Sequence, residues 1–130
     1  MSSIEDQFLA KLSRGGLVAQ DEYEQLGQDL PPEIVAGALA RRFDVTSELR
    51  MLVEAARLYS RAGYDYEVLE LCSRAPRSHE LQRLVEKTLP RIRNAYPEIR
   101  RIGKLMDTAF IVIDLDTGKM VRFPPLMPAT

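Results

Sequence analysis

Between Thr46 and Ala75 the apolar positions fall at helical spacing. Val45, Leu49, Leu52, Val53, Ala56 and Tyr59 recur every three or four residues, while Glu48, Arg50, Glu54, Arg57 and Arg61 take the other side. That is the pattern of an amphipathic helix. Thr46 is placed to cap it, and Gly63 to end it, because the residue past a helix terminus often needs a positive φ. A second stripe of Val68, Leu71, Cys72 and Ala75 follows Asp65 as N-cap and stops at Pro76, which cannot continue a helix. So short a link makes the two helices antiparallel.

The flanking segments read as cover for this hairpin. Ile4, Phe8 and Leu12 predict a helix over about 3–13 that Gly15 and Gly16 end. Asp21 opens a short helix carrying Tyr23 and Leu26 that stops near Gly27. Pro31 and Pro32 suit the first turn of a third helix, where a missing amide proton costs nothing. Its inward residues are Ile34, Val35, Ala38, Leu39 and Phe43, and the small Ala36, Gly37 and Ala40 invite a close neighbour. Ser78 caps a helix with Leu81, Leu84, Val85, Leu89 and Ile92 on one side, in which Pro90 predicts a kink or break. Pro97 starts another helix with Ile99, Ile102 and Leu105, and Asp107 and Thr108 mark a change of period.

The last stretch differs in kind. Residues 109–115, AFIVIDL, are β-branched and aromatic, Asp116-Thr117-Gly118-Lys119 makes a turn, and Met120 to Phe123 answers. The expected fold is mainly α, in the α+β sense: a helical bundle round an antiparallel helix hairpin, with one C-terminal β-hairpin. One domain covers 1–123, the hairpin occupies 109–123, and Pro124, Pro125 and Pro128 make 124–130 an extended tail. A lone two-stranded ribbon is marginal in water, and Phe110 to Ile113 is apolar on both faces. It must lie on the helices or pair with another chain.

Composition changes the picture only in places. The chain has 130 residues, 45% of them apolar, enough for a core without disulfide or metal. A single cysteine, Cys72, excludes an internal disulfide and points to a reducing, cytoplasmic setting. The N-terminal MSSIEDQFLAKL lacks the basic-then-apolar run of a signal peptide, and no membrane span is expected. The net charge of −1 hides an asymmetry: residues 1–33 hold seven acids and two bases, residues 74–104 nine bases and three acids. These halves attract one another within a chain or between chains, or face separate partners.

The run A-x-x-Y-x-x-x-G-Y followed by an apolar helix resembles the helix-turn-helix unit of tetratricopeptide repeats. The matching residues are Ala56, Tyr59, Gly63, Ala75 and Pro76; Val68 stands where that family prefers alanine. The resemblance implies close helix approach with an aromatic filling the gap. It covers one hairpin over residues 46–76, and no copy recurs about 34 residues away, as an array requires.

Catalytic signatures converge on one turn. FIVIDLDTG is similar to the first strand of haloacid-dehalogenase-like phosphatases, with Asp114 as nucleophile and Asp116 as acid, but the threonine comes one place early and only fourteen residues follow Asp116. The pepsin-like Asp116-Thr117-Gly118 belongs to an all-β dimer, and a calcium loop would need oxygen ligands where Lys119, Met120 and Val121 stand. Turn geometry accounts for these residues. His79, the sole histidine, has no partner for acid–base work, and the glycines fit no phosphate-binding spacing. No catalytic residue, cofactor or metal is expected, and the chain reads as a non-enzyme.

Binding is the better expectation. Arg83, Lys87 and Arg91, four apart, line a helix face that Arg93, Arg100, Arg101 and Lys104 continue. Ile111, Ile113, Met120, Phe123, Leu126 and Met127 add more apolar surface than one ribbon can hide. The expected surface combines Arg83, Lys87, Arg91, Arg100 and Arg101 with Ile111, Ile113, Met120 and Phe123. It serves an adaptor, regulator or chaperone whose partner is another protein or, through the β-hairpin, a second copy in a homodimer. The alternative is nucleic acid: a basic helix followed by a hairpin bearing Lys119 and Arg122 resembles a winged helix in its order of elements.

Overall fold

A computed structural model of the chain describes residues 3–105 and 110–123. Expectations for Asp107, Thr108 and Ala109 and for the tail with Leu126 and Met127 lie outside those residues.

Six helices come first: α1 (Ile4–Ser13), α2 (Gln20–Asp29), α3 (Pro32–Thr46), α4 (Leu49–Arg61), α5 (Asp65–Ser73) and α6 (His79–Ala95). Local chemistry sets several of their ends. The Ser3 and Ser78 hydroxyls accept from the amides of Asp6 and Leu81, so each caps a helix start. Two glycine stops close in the same way. After α1, Gly15 at φ 78° donates to the Leu12 carbonyl and Gly16 to that of Lys11; after α4, Gly63 at φ 83° donates to Ser60 and Tyr64 to Tyr59. Both satisfy carbonyls the helix leaves bare.

The join between α3 and α4 differs from the expectation. Thr46 ends α3 instead of capping α4, and Ser47 takes the left-handed turn at φ 59° with its amide on the Phe43 carbonyl. Thr46 donates its hydroxyl proton to Arg42 and accepts from the Glu48 amide, so it holds the link together from its own helix. Val45 therefore leaves the α4 stripe and is exposed. Across this short link Ala36, Ala38 and Ala40 of α3 and Ala55 and Ala56 of α4 are all buried, and small side chains there let the helix backbones approach. Phe8 and Leu12 of α1, Val68, Leu71 and Cys72 of α5 and Leu81 of α6 complete this first core.

Three further corrections concern helix limits. Asp65 is the first residue of α5, not its cap. Helix α2 starts one residue before Asp21 and runs past Gly27 to Asp29. Helix α6 continues through Pro90, which sits exposed on its solvent side, so the proline does not break it.

After Ala95 the expected helix from Pro97 is absent. Arg101–Leu105 forms strand β1 instead, antiparallel to β2 (Phe110–Asp114), which pairs with β3 (Met120–Phe123) in the order β1-β2-β3. The hairpin is thus the second half of a three-stranded sheet. Ile99, Ile102 and Leu105 fit a helix by spacing, but β2 is apolar on both sides and becomes a middle strand once β1 supplies its second ladder. Gly103 is part of the reason. A Cβ there would lie 2.6 Å from Cζ of Phe110, so any larger residue would have to displace that ring from beside β1.

The sheet rests on α5 and α6. Ile111, Ile113 and Leu115 pack with Leu69 and Ile92, joined by Tyr66, Val85, Leu89, Ile102 and Met120. Val85 also touches the first core, so α6 is the wall between the two.

Candidate interaction surface

Side chains alternate across a strand, and the register sorts the sheet into two faces. Toward the helices point Ile102 and Lys104 of β1, Ile111 and Ile113 of β2, and Met120 and Arg122 of β3. Away from them point Arg101, Gly103, Leu105, Phe110, Val112, Asp114, Val121 and Phe123.

The inner face is closed by apolar packing and by charge. Glu70 of α5 is 4% exposed, and its carboxylate accepts from Arg74 at 3.0 Å and meets Arg122 at 2.9 Å, so β3 is tied to α5 through a buried anion with two cations. Arg74 reaches on to Asp44 of α3 at 3.2 Å. At the other edge Lys104 lies over the Tyr66 ring, 4.5 Å from its centre. Burial beside Glu70 pushes the Cys72 thiol up to about 12, which keeps it protonated and unreactive.

The outer face is open. Leu105 is 71% exposed, Val121 53%, Phe123 48% and Phe110 40%. The Phe110 and Phe123 rings lie side by side with centres 6.5 Å apart. Only Arg101 and Asp114, directly opposed in the register, bring charge to the strands of this face.

This placement corrects the expected surface. Ile111 and Ile113, each 1% exposed, are core residues beneath the sheet, and Met120 is half-buried among them. Phe123 stays on the surface, joined by Leu105, Phe110 and Val121. The strand's own alternation held that signal, since F-I-V-I-D assigns Phe110 and Val112 to one side and Ile111 and Ile113 to the other. Which side is buried depends on α5 and α6.

The basic stripe is divided. Arg83 and Lys87 are exposed on the side of α6 away from the sheet, whose turn meets α6 at Val85 and Leu89. Arg91 instead approaches Asp65 at 3.6 Å and Ser60, and supplies the countercharge for an Asp65 oxygen that has no hydrogen bond. Arg93 and Arg100 converge on Asp116 at 3.5 and 3.8 Å. The Arg100 side chain is otherwise in solvent while its carbonyl accepts from the Leu115 amide at 2.7 Å, and Arg101 belongs to the open sheet face.

The aspartates of the tempting turn hold the turn. Asp114 Oδ1 accepts from the amides of Asp116 at 2.9 Å and Thr117 at 3.1 Å, while Gly118 at φ 76° donates to the Asp114 carbonyl. Those amides, Thr117 first, hold the Asp114 carboxyl below its usual range. Among the described residues no three of His, Cys, Asp or Glu stand close enough together to hold a metal ion.

Two open grooves, each of about 560 Å³, flank the helices. One runs between α2, α3 and α4 over Tyr23, Leu39, Met51 and Val53. The other lies between α3, α5 and β1 beside Tyr59, Tyr64 and Lys104. The charges that line them include internal pairs, Arg57 with Glu80 in the first and Arg74 with Asp44 and Glu70 in the second.

The described residues thus define a mainly helical protein with a small antiparallel C-terminal sheet, covered on one face and open on the other. No helix among them is long and apolar enough to cross a membrane. Comparison with protein-family models, curated proteins and solved structures finds no match to this chain.

Proposed function

We propose that this protein is a non-catalytic protein–protein interaction module, an adaptor, regulator or chaperone, whose contact surface is the outer face of the β1-β2-β3 sheet. The observation that carries this reading is that Leu105, Phe110, Val121 and Phe123 share one solvent-facing side of a sheet whose other side is already filled. Contiguous exposed apolar surface of this kind marks contact sites. The rim is polar, with Arg93, Arg100, Asp116 and Lys119 at the turn end, as interface rims are. Both outer strands also present unpaired backbone edges among the described residues.

The side-chain chemistry supports binding without turnover. Asp114 is committed to its turn, His79 is exposed at a helix start, and Cys72 is buried as a thiol. That free thiol fits a reducing, cytoplasmic compartment. The buried Ala56 and the glycine turn at Gly63 support the tetratricopeptide-like reading of the α4–α5 hairpin. The nucleic-acid alternative rests on Arg83 and Lys87, since Arg91 is drawn toward Asp65. It predicts binding that falls steeply with salt.

A photo-reactive phenylalanine analogue at position 121 tests the favoured reading in the producing cell. The expected result is a covalent adduct heavier than the 14.8 kDa chain, absent when the analogue stands at the equally exposed position 45 on α3. No adduct from 121 above that control would refute it.

A further inference from the structure

We infer that the partner on the outer sheet face is a second copy of this chain, packed face to face about a two-fold axis. The inference rests on the interaction reading above and goes further by naming the occupant.

Charge is the first argument. The strands of the outer face contribute one cation, Arg101, and one anion, Asp114, at opposed positions in the β1–β2 ladder. A uniformly acidic or basic partner would bury one of them against its own sign, which costs far more than a rim contact. A copy of the same face cancels both. A two-fold axis running along the strands between β1 and β2 sets Arg101 of each copy over Asp114 of the other. The same operation sets Leu105 over Phe110 at the opposite end of the ladder. Contacts of this reciprocal kind are what an isologous interface requires.

Shape is the second argument. Gly103 carries no side chain, and the Phe110 ring occupies the space beside it, which leaves that part of the face low. Two such faces can stack at the ~10 Å separation of paired sheets.

Area sets the strength. The two strands that overlap about this axis, β1 and β2, are five residues long each, so the footprint is about 16 by 10 Å at ~3.3 Å per residue and ~4.8 Å between strands. That is small beside the ~800 Å² per partner of a standard stable interface. The dimer is therefore reversible and concentration-dependent, with micromolar or weaker dissociation.

Sedimentation equilibrium of the full chain from micromolar to several hundred micromolar provides the test. The mass is expected to rise from 14.8 kDa toward twice that value. Arg101→Glu leaves each face with two acids and weakens association by about tenfold or more at low salt, while circular dichroism stays that of the wild type. Leu105→Asp, set over Phe110 of the other copy by the two-fold, abolishes association, and Val45→Asp on the helical side leaves it unchanged. A wild type that stays at 14.8 kDa throughout, or an Arg101→Glu variant that associates like the wild type, overturns the inference. The adduct formed from position 121 separates this failure from failure of the broader reading. An adduct of another mass keeps the interaction module and removes the second copy; no adduct removes both.

Discussion

The helical part and the sheet both leave apolar residues exposed, but on the helices these are scattered, as at Ile4, Ile34 and Val45, whereas in the sheet Leu105, Phe110, Val121 and Phe123 gather on one face. In the helical part each apolar stripe meets another element, and the residues that end helices, Gly15, Gly63 and Ser78, do so with their own backbone or hydroxyl groups. In the sheet the strand Phe110–Asp114 offers two apolar sides, and the described residues cover Ile111 and Ile113 while Phe110 stays exposed. Burial at the first site is a matter of stability. Exposure at the second leaves hydrophobic free energy that an association there would recover.

Substitutions that break this contrast divide by region. The largest effect is expected for Leu52→Ala, fully buried in the first turn of α4, which should lower unfolding free energy in urea by about 3–5 kcal/mol. Glu70→Ala comes next. It removes the buried anion that ties Arg74, at the end of α5, to Arg122 of β3, and about 2–3 kcal/mol of stability should be lost, with the sheet amides exchanging faster than those of α3. Gly103→Val drives a branched side chain against the Phe110 ring and should cost about 2 kcal/mol, again felt first in the sheet. The smallest effect is acid-induced. The Asp114 carboxyl sits below its ordinary 3.8, so its bonds to the turn amides are intact at neutral pH and are lost only as pH falls through the lowered value. The protection of the Asp116 and Thr117 amides, measured against their intrinsic exchange rate at each pH, should be lost there and nowhere higher.

How far the fold was legible follows the same division. Helix α1 with its double-glycine stop, the Gly63 turn, the Ser78 cap and the turn at 116–119 are each specified by a few adjacent residues, and their local chemistry decides the outcome. Strand β1 was not legible, because Ile99, Ile102 and Leu105 satisfy a helical period as well as Ile102 and Lys104 satisfy alternation. The ladder to β2 breaks that tie, and Gly103, a poor helix former by about 1 kcal/mol, was the local hint. The boundary between α3 and α4 was misplaced for a related reason: Ser47 adopts the left-handed turn that glycine usually marks.

The candidate surface was legible as a segment and not as a face. That the segment 109–123 is too apolar for two strands to cover is an expectation drawn from composition alone. That Phe110 and Phe123 are outside while Ile111 and Ile113 are inside depends on how α5 and α6 meet the strands. The basic stripe divided likewise: its four-residue spacing is local, but Asp65 and Asp116, which draw off Arg91 and Arg93, come from α5 and the hairpin turn.

The most direct test places one aspartate on each side of the sheet and compares urea unfolding midpoints at a concentration where the chain is monomeric. Ile113→Asp buries a charge among Leu69, Ile92 and Leu115 and should lower the midpoint severely or prevent folding. Val121→Asp should leave the midpoint within the ~0.5 kcal/mol typical of surface changes. Equal destabilisation by both, or greater loss from Val121→Asp, would mean that the outer face is already covered within the single chain and is not open to a partner.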